Sequence, residues 1–244
     1  MKKTIAIVGY GRFGRSAAHH LKKKFHVLVS DSRKLTKIEK GVYRVSLRRA
    51  SASPVIILAV PIGRTASLLK QIAPWAMPGA LICDVCSVKV EPLRWMTRTL
   101  PRNVFILGTH PLFGPDSAGD ILRGRSIILC PVRIPTDKLR KVRRVLKALE
   151  LNVVMMSPVR HDRLMASTLF LTQLMGRSLS LLHLPPSQSS TPHFQFLHRL
   201  VQVSNNDSKR LFTDMYRFNR FARPIPRKLI SAFEKIDLSL RRGR

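Results

Sequence analysis

The sequence is poor in cysteine, in acidic side chains and in long apolar runs. Its three cysteines, Cys83, Cys86 and Cys130, are too few and too unevenly spaced for a disulfide framework and point to a reducing cytoplasm. Cys83 and Cys86 form a C-x-x-C without a second pair or a histidine at metal spacing. The pair ends an apolar strand instead of opening a helix, where the dipole would lower a thiol pKa. They read as small buried side chains, and no metal is expected. Asp+Glu number 13 against 44 Lys+Arg, a formal charge of +31. Such a balance attracts anions. The basic residues are nevertheless scattered, over Lys22 to Lys24, Arg48-Arg49, Arg140 to Arg144 and Arg241-Arg242. They lack the interleaved aromatics of a single-strand platform, and no zinc-finger or RNP-like signature appears. Nucleic acid is expected to bind only nonspecifically, through charge, and to leave as salt rises. No apolar run reaches the roughly 18–20 residues of a membrane span. The stretch Thr4 to Val8 stops at Gly9-Tyr10-Gly11-Arg12, too soon for a signal peptide and without a cleavage site. It reads as a buried strand, and no membrane partner is expected.

What is present is alternation. Strand-like runs over Thr4–Val8, His26–Ser30, Pro54–Val60, Ala80–Asp84, Val104–Gly108, Ser126–Cys130 and Asn152–Met156 are separated by helix-like stretches over Arg12–Lys24, Thr65–Trp75, Val90–Thr99 and Thr136–Leu149. Short apolar strands alternating with helices predict an α/β fold, a doubly wound, mostly parallel sheet of Rossmann type buried on both faces. This pattern defines a first domain over 1–157. From 158 to 244 no strand pattern survives. Arg160–Leu184 is apolar around most of a helix's circumference, which demands burial on several sides. Pro185-Pro186 ends it, and Ser187 to Thr191 reads as a polar loop. Helical segments follow over Phe194–Val203, Ser208–Phe221 and Arg227–Leu240, with Asn206-Asp207-Ser208 as a helix start. The second domain is therefore smaller and all-helical. So short and apolar a tail is expected to complete its core against another subunit, as a homodimer.

Gly9-Tyr10-Gly11-Arg12-Phe13-Gly14 is a G-x-G-x-x-G between the first strand and the first helix. In that context Gly9 permits the tight turn, Gly11 lets a pyrophosphate approach the backbone, and Gly14 allows close helix–strand packing. Arg12 and Phe13 lie in the first helical turn, whose free N–H groups favour an anion. Asp31, at the end of the second strand, is placed about 20 residues on to accept from a ribose hydroxyl. That favours NAD, while Arg33 and Lys34 stand ready for the 2′-phosphate of NADP. Val60 and Pro61 end another strand at the same ligand-binding edge.

Two further strand ends carry polar groups: Asp84-Val85-Cys86-Ser87-Val88-Lys89, and the glycine- and proline-rich run from Gly108 through Gly119. His110 leaves its strand at the carboxyl edge, beside the expected nicotinamide. An imidazole's unperturbed pKa of about 6.5 suits it to take a hydroxyl proton near neutrality.

At these residues the chain resembles the prephenate and arogenate dehydrogenases of tyrosine biosynthesis, prephenate dehydrogenase in particular. Gly108 to Gly119 is similar to that family's His-Pro-Met-Phe-Gly-Pro segment, Asp84 to Lys89 to its Asp-x-x-Ser-Val-Lys segment, and Gly9 to Gly14 to its nucleotide loop. His161 to Ala166 resembles the start of its first long C-terminal helix, and Leu211 to Met215 a later segment. The resemblance implies a cytoplasmic, NAD-dependent oxidoreductase. Neutral His110 would accept the ring-hydroxyl proton of prephenate while hydride passes to NAD and the ring carboxylate leaves as carbon dioxide. Ser87 would hydrogen-bond near His110 and the nicotinamide, and Lys89 would support that loop. The product would be 4-hydroxyphenylpyruvate, or tyrosine if arogenate is the substrate.

Two positions depart from the family pattern. Where its members carry a histidine in the long helix, this chain has Thr172-Gln173-Leu174, and Gln173 can hydrogen-bond substrate but brings no charge. The family's substrate-binding arginine falls at Val203, which leaves Arg199 and Arg177 as the substrate-binding candidates. Few acids in the second domain could hold an ammonium, which favours prephenate over arogenate. A catalytically impaired paralogue that binds nucleotide or nucleic acid is the alternative raised by Gln173 and Val203.

Overall fold

A computed structural model of the chain describes residues 2–114, 119, 121–185 and 191–243. Pro115 to Ala118 of the expected catalytic loop, Pro186 and most of the expected polar loop, 187–190, lie outside the described residues. By packing, the chain divides into two units, Met1–Val159 and Arg160–Arg244.

In the first unit the elements run β1 (Thr4–Val8), α1 (Arg12–Leu21), β2 (His26–Ser30), β3 (Val42–Arg44), α2 (Leu47–Ser51), β4 (Val55–Leu58), α3 (Thr65–Ile72), β5 (Leu81–Asp84), α4 (Val90–Thr99), β6 (Phe105–Pro111), β7 (Ser126–Arg133), α5 (Thr136–Lys147) and β8 (Asn152–Met155). They build one eight-stranded sheet in the order β3-β2-β1-β4-β5-β6-β7-β8. Every neighbouring pair is parallel except β6–β7. The central strands read as unbroken apolar runs because helices cover both faces. Ile7, Val27, Val29, Ile56, Ile82, Ile106 and Leu107 are fully buried. The expected Rossmann-type sheet is the one observed. Sequence reading missed β3 and α2, which at three and five residues are too short for periodicity to register. A local signal for α2 existed in Ser46, whose hydroxyl accepts from the Arg49 N–H as an N-cap.

Register is what positions the site. Val8 pairs with Ser30 and with Leu58, Leu58 with Asp84, and Asp84 with Gly108. The carboxyl ends of β1, β2, β4 and β5 are thus aligned. The strand β6 runs on past Gly108 to Pro111, so His110 lies within its strand, paired with β7, instead of leaving it as expected. The residues that follow the aligned line in the five strands lie along one edge. Those residues are Gly9, Asp31, Ala59 to Pro61, Val85 to Ser87, and Thr109-His110.

The second unit is helical throughout its described residues. The helix α6 (Pro158–Met165) continues through a π-helical turn (Ala166–Phe170) into α7 (Leu171–Ser180), followed by α8 (Pro192–Asn206), α9 (Lys209–Phe218) and α10 (Ile225–Arg242). Thr191 and Ser208 cap α8 and α9 by accepting from the Phe194 and Leu211 N–H groups. The long helix expected over Arg160–Leu184 forms but ends at Ser180. It buries one stripe, His161, Asp162, Met165, Ala166, Phe170, Gln173 and Gly176, while Leu164 on the helix and Leu181 and Leu182 just after it are exposed. That stripe is held by close packing: a Cβ on Gly176 would lie 2.1 Å from the Ser204 hydroxyl of α8. Phe170 stacks on Phe212 of α9 at 5.3 Å. The expected burial on several sides is not met among the described residues. The helix α10 has no buried residue at all.

Candidate active site

The turn after β1 is shaped by its glycines. Gly9 has φ +102°, a conformation that L side chains rarely adopt, and a Cβ there would sit 2.3 Å from the Ala59 carbonyl oxygen. A Cβ on Gly14 would lie 2.0 Å from the Gly9 oxygen, so α1 can pack this close only with glycine there. At Gly11 the added atom meets nothing nearer than Arg33 Nη2 at 3.9 Å. The cradle therefore has room where a diphosphate would pass. Among the described residues no side chain caps the first turn of α1, and that turn carries no acidic residue, so its dipole favours an anion. Arg12 is exposed at that turn. Phe13 lines an apolar cavity of about 480 Å³ with Ala17, Leu21, Val142 and Leu146, so what it offers the cradle is its backbone. Val60 and Pro61 follow β4 on the same edge, with the Ala59 N–H donating to the Val8 carbonyl.

Asp31 closes this part of the site. Its Oδ2 accepts from the Tyr10 N–H at 2.7 Å and from Arg33 Nη2 at 2.9 Å. Its Oδ1 accepts from the Arg33 N–H and Nε, both at 2.9 Å. The Asp31 side chain is 6% exposed and that of Arg33 is 66% exposed. The hydrogen bonds from Arg33 hold the Asp31 carboxyl well below the usual carboxylate range, against the opposing effect of burial.

The chemistry end forms where β5 stops and β6 runs on beside it. Asp84 and Lys89 are both fully buried and form an ion pair through Asp84 Oδ2, which also accepts from the Cys86 N–H at 3.0 Å. The Lys89 stem and Leu93 pack on Gly108, where a Cβ would come within 2.8 Å of Leu93. Thr109 donates its hydroxyl to the Asp84 carbonyl. His110 is 6% exposed in β6, paired in register with Ile128. Two buried oxygens on this edge, Asp84 Oδ1 and Ser87 Oγ, have no hydrogen-bond partner among the described residues. Unsatisfied buried polar atoms are costly and mark places where a ligand's groups belong. With the open cradle at Gly11, they are what a dinucleotide site requires, so these residues fit a nicotinamide cofactor. The two cysteines here behave as the sequence suggested: both are free and buried, and burial pushes each thiol pKa up to about 12. No group of metal-binding side chains occurs among the described residues.

The candidates in the second unit separate. Gln173 is buried and donates its Nε2 to Asp207 Oδ2 at 2.7 Å, while its buried Oε1 has no partner among the described residues. Arg177 donates Nη2 to the Ser204 and Asp207 carbonyls and lies over the Phe212 ring, and its buried Nε likewise has no partner among the described residues. Gln173, Arg177 and Asp207 thus form one cluster. Arg199 is exposed on α8 and is not brought to it, and Val203 is exposed as well. Sequence reading missed Asp207 as a site residue because Asn206-Asp207-Ser208 served only as a helix start. His161 and Asp162 are buried and bonded to each other at 2.8 Å, and the Asp162 carbonyl accepts from Asn219. These bonds give the two residues a structural role at the start of the helix.

Comparison with known proteins adds the following. A sequence model of the prephenate dehydrogenase nucleotide-binding domain matches residues 19–155, and one of a TYRAAT1-like C-terminal domain matches residues 178–243. A probable arogenate/prephenate dehydrogenase of Methanocaldococcus jannaschii is 29% identical over 96% of this chain and 56% of its own length. Arogenate dehydrogenase 1 of Arabidopsis thaliana, chloroplastic, is 29% identical over 97% of this chain and 39% of its own length. This chain therefore spans from two-fifths to just over half of those two relatives. Among solved structures, the Aquifex aeolicus prephenate dehydrogenase in complex with hydroxyphenyl propionate and NAD+ superposes with a TM-score of 0.75 at 20% identity, over 100% of this chain and 92% of that one. Synechocystis arogenate dehydrogenase gives 0.70 at 21% identity, over 96% and 90%. At such identities these two comparisons speak to the fold.

Proposed function

The chain belongs to the prephenate dehydrogenase family, whose members are NAD-dependent dehydrogenases, and from that premise we propose that it oxidatively decarboxylates prephenate or arogenate. The observation that carries this reading is the aligned strand edge, which brings the glycine cradle, the unpartnered Ser87 hydroxyl and His110 out along one line. The diphosphate of NAD would be held at Gly9, Gly11, Gly14 and the first turn of α1 through Arg12 and Phe13, flanked by Val60 and Pro61. Its adenine ribose would be held at Asp31. NAD, when bound, supplies the hydride acceptor. His110 takes the proton of the ring hydroxyl as general base. Ser87 orients the reacting groups by hydrogen bonding. The ring carboxylate leaves as carbon dioxide, and its bonding pair completes the aromatic ring. The substrate's carboxylates are drawn by a strongly positive chain, and Gln173 and Arg177 are the second unit's candidates to bind them.

Between the two substrates, the scarcity of acids in the second unit favours prephenate and the product 4-hydroxyphenylpyruvate. Asp207 favours arogenate. It is the acid that lies beside Gln173, and an ammonium needs such a partner. An assay of wild type and Asp207→Asn with both substrates decides between them. On the arogenate reading the substitution lowers kcat/KM for arogenate roughly ten- to a hundredfold, the loss of one charge-assisted hydrogen bond, and spares prephenate. Equal effects on both substrates would remove Asp207 from the argument.

The second unit's partner is a second copy of the chain. Ile230, Phe233, Ile236, Leu238 and Leu240 of α10 are each more than half exposed, an apolar surface that calls for cover. Light scattering is expected to give a dimer mass for the wild type and a monomer for Phe233→Glu. No described helix is long and apolar enough to cross a membrane. The free buried thiols support a reducing compartment, the cytoplasm. Nucleic acid is expected to bind through charge alone and to dissociate by moderate salt.

A further inference from the structure

The environment of Asp31 contains more than a ribose acceptor. An ionised carboxylate offers about four lone-pair sites, and all four of this one are taken. Two are filled by backbone N–H groups, of Tyr10 in the turn after β1 and of Arg33 in the turn after β2. The other two are filled by Nε and Nη2 of the Arg33 guanidinium, at 2.9 Å each. The Arg33 side chain is largely exposed, and among the described residues its hydrogen bonds go to Asp31. Its Nη2 is also the nearest atom to the open space above Gly11. A ribose diol has two hydroxyls to donate, the number of acceptor sites that the guanidinium fills.

Resting on the nicotinamide-cofactor reading above, we propose that Arg33 is a latch over the adenine-ribose site and sets which cofactors the chain accepts. For NAD the latch opens, because the two ribose hydroxyls replace Nε and Nη2 on Asp31 and the freed guanidinium swings out into solvent. For NADP the latch stays shut. A 2′-phosphate cannot donate to Asp31 and is repelled by it, but it can pair with the outer face of a guanidinium still bound to Asp31. Arg33 thus lets a site with an aspartate at the end of β2 accept a 2′-phosphate, which the aspartate alone would reject.

The test is equilibrium binding of NAD and NADP, by calorimetry, to the full chain as wild type, Arg33→Ala and Asp31→Asn, with circular dichroism to verify folding. Arg33→Ala is expected to weaken NADP roughly ten- to a hundredfold, the loss of a charge-assisted pair. It should leave NAD as tight as in wild type or tighter, since the hydroxyls no longer displace a bound group. Asp31→Asn should shift the preference the other way, towards NADP. A ratio of NADP to NAD dissociation constants that is unchanged in Arg33→Ala, or NAD weakened as much as NADP, overturns the latch while leaving the cofactor reading intact. A wild type that binds neither dinucleotide overturns both.

Discussion

The His110→Asn variant is expected to lose roughly 10²- to 10⁴-fold in kcat, the range by which a positioned general base contributes. The amide is close in size to imidazole and keeps a hydrogen-bonding tip, so the packing of β6 against Ile128 of β7 should survive. What it cannot do is take up a proton. NAD binding should be unchanged, because the cradle lies at Gly9 to Gly14 and Asp31, three and four strands away across the sheet. The residual rate should also lose the acid limb of its pH profile, a change that a merely structural histidine would not produce. Steady-state kinetics across pH, with NAD affinity measured separately, distinguish the two roles. A loss shared between NAD affinity and kcat, with an unaltered pH profile, would place His110 in the scaffold.

Lys89→Met should destabilise the first unit by about 3–5 kcal/mol, the cost of stripping a buried charge of its partner. Lys89 and Asp84 are both wholly inaccessible. Without the ammonium, Asp84 Oδ2 would keep the Cys86 N–H, and Oδ1 already has no partner among the described residues. Methionine matches the lysine stem that packs on Gly108, so the loss is electrostatic and not a cavity. Urea denaturation followed by circular dichroism measures it. Removing the second charge as well, as Lys89→Met/Asp84→Leu, should recover part of the loss, because an apolar pair carries no desolvation cost. If the single variant melts with wild type, Asp84 is neutral in the folded chain and the pair is not ionic.

The first unit was legible in the sequence because its signals are local. An apolar run of five residues bounded by glycine or polar turns specifies a buried strand, and β1 and β2 fall at their expected bounds, Thr4–Val8 and His26–Ser30. Gly9 and Gly14 were legible because tight backbone approach leaves no chemical alternative. Arg33 was visible only as a nearby charge. That it occupies Asp31 depends on a turn geometry that spacing does not encode. Asp207 was hidden for a different reason: its neighbours Asn206 and Ser208 supply an ordinary helix start, and its contact with Gln173 bridges 34 positions. The helices after Ser157 were readable as helices, but apolar periodicity does not state what covers each face. For α10 no described residue of the chain buries that face.

The most direct test of the account is to follow NADH and carbon dioxide together as the wild-type chain is offered NAD with prephenate and, separately, with arogenate. The account predicts that one of the two substrates yields both products in equal amounts, because hydride loss and decarboxylation are halves of one aromatisation. NAD binding without NADH from either substrate would contradict it, and would leave a Rossmann-type protein that holds a dinucleotide for another purpose.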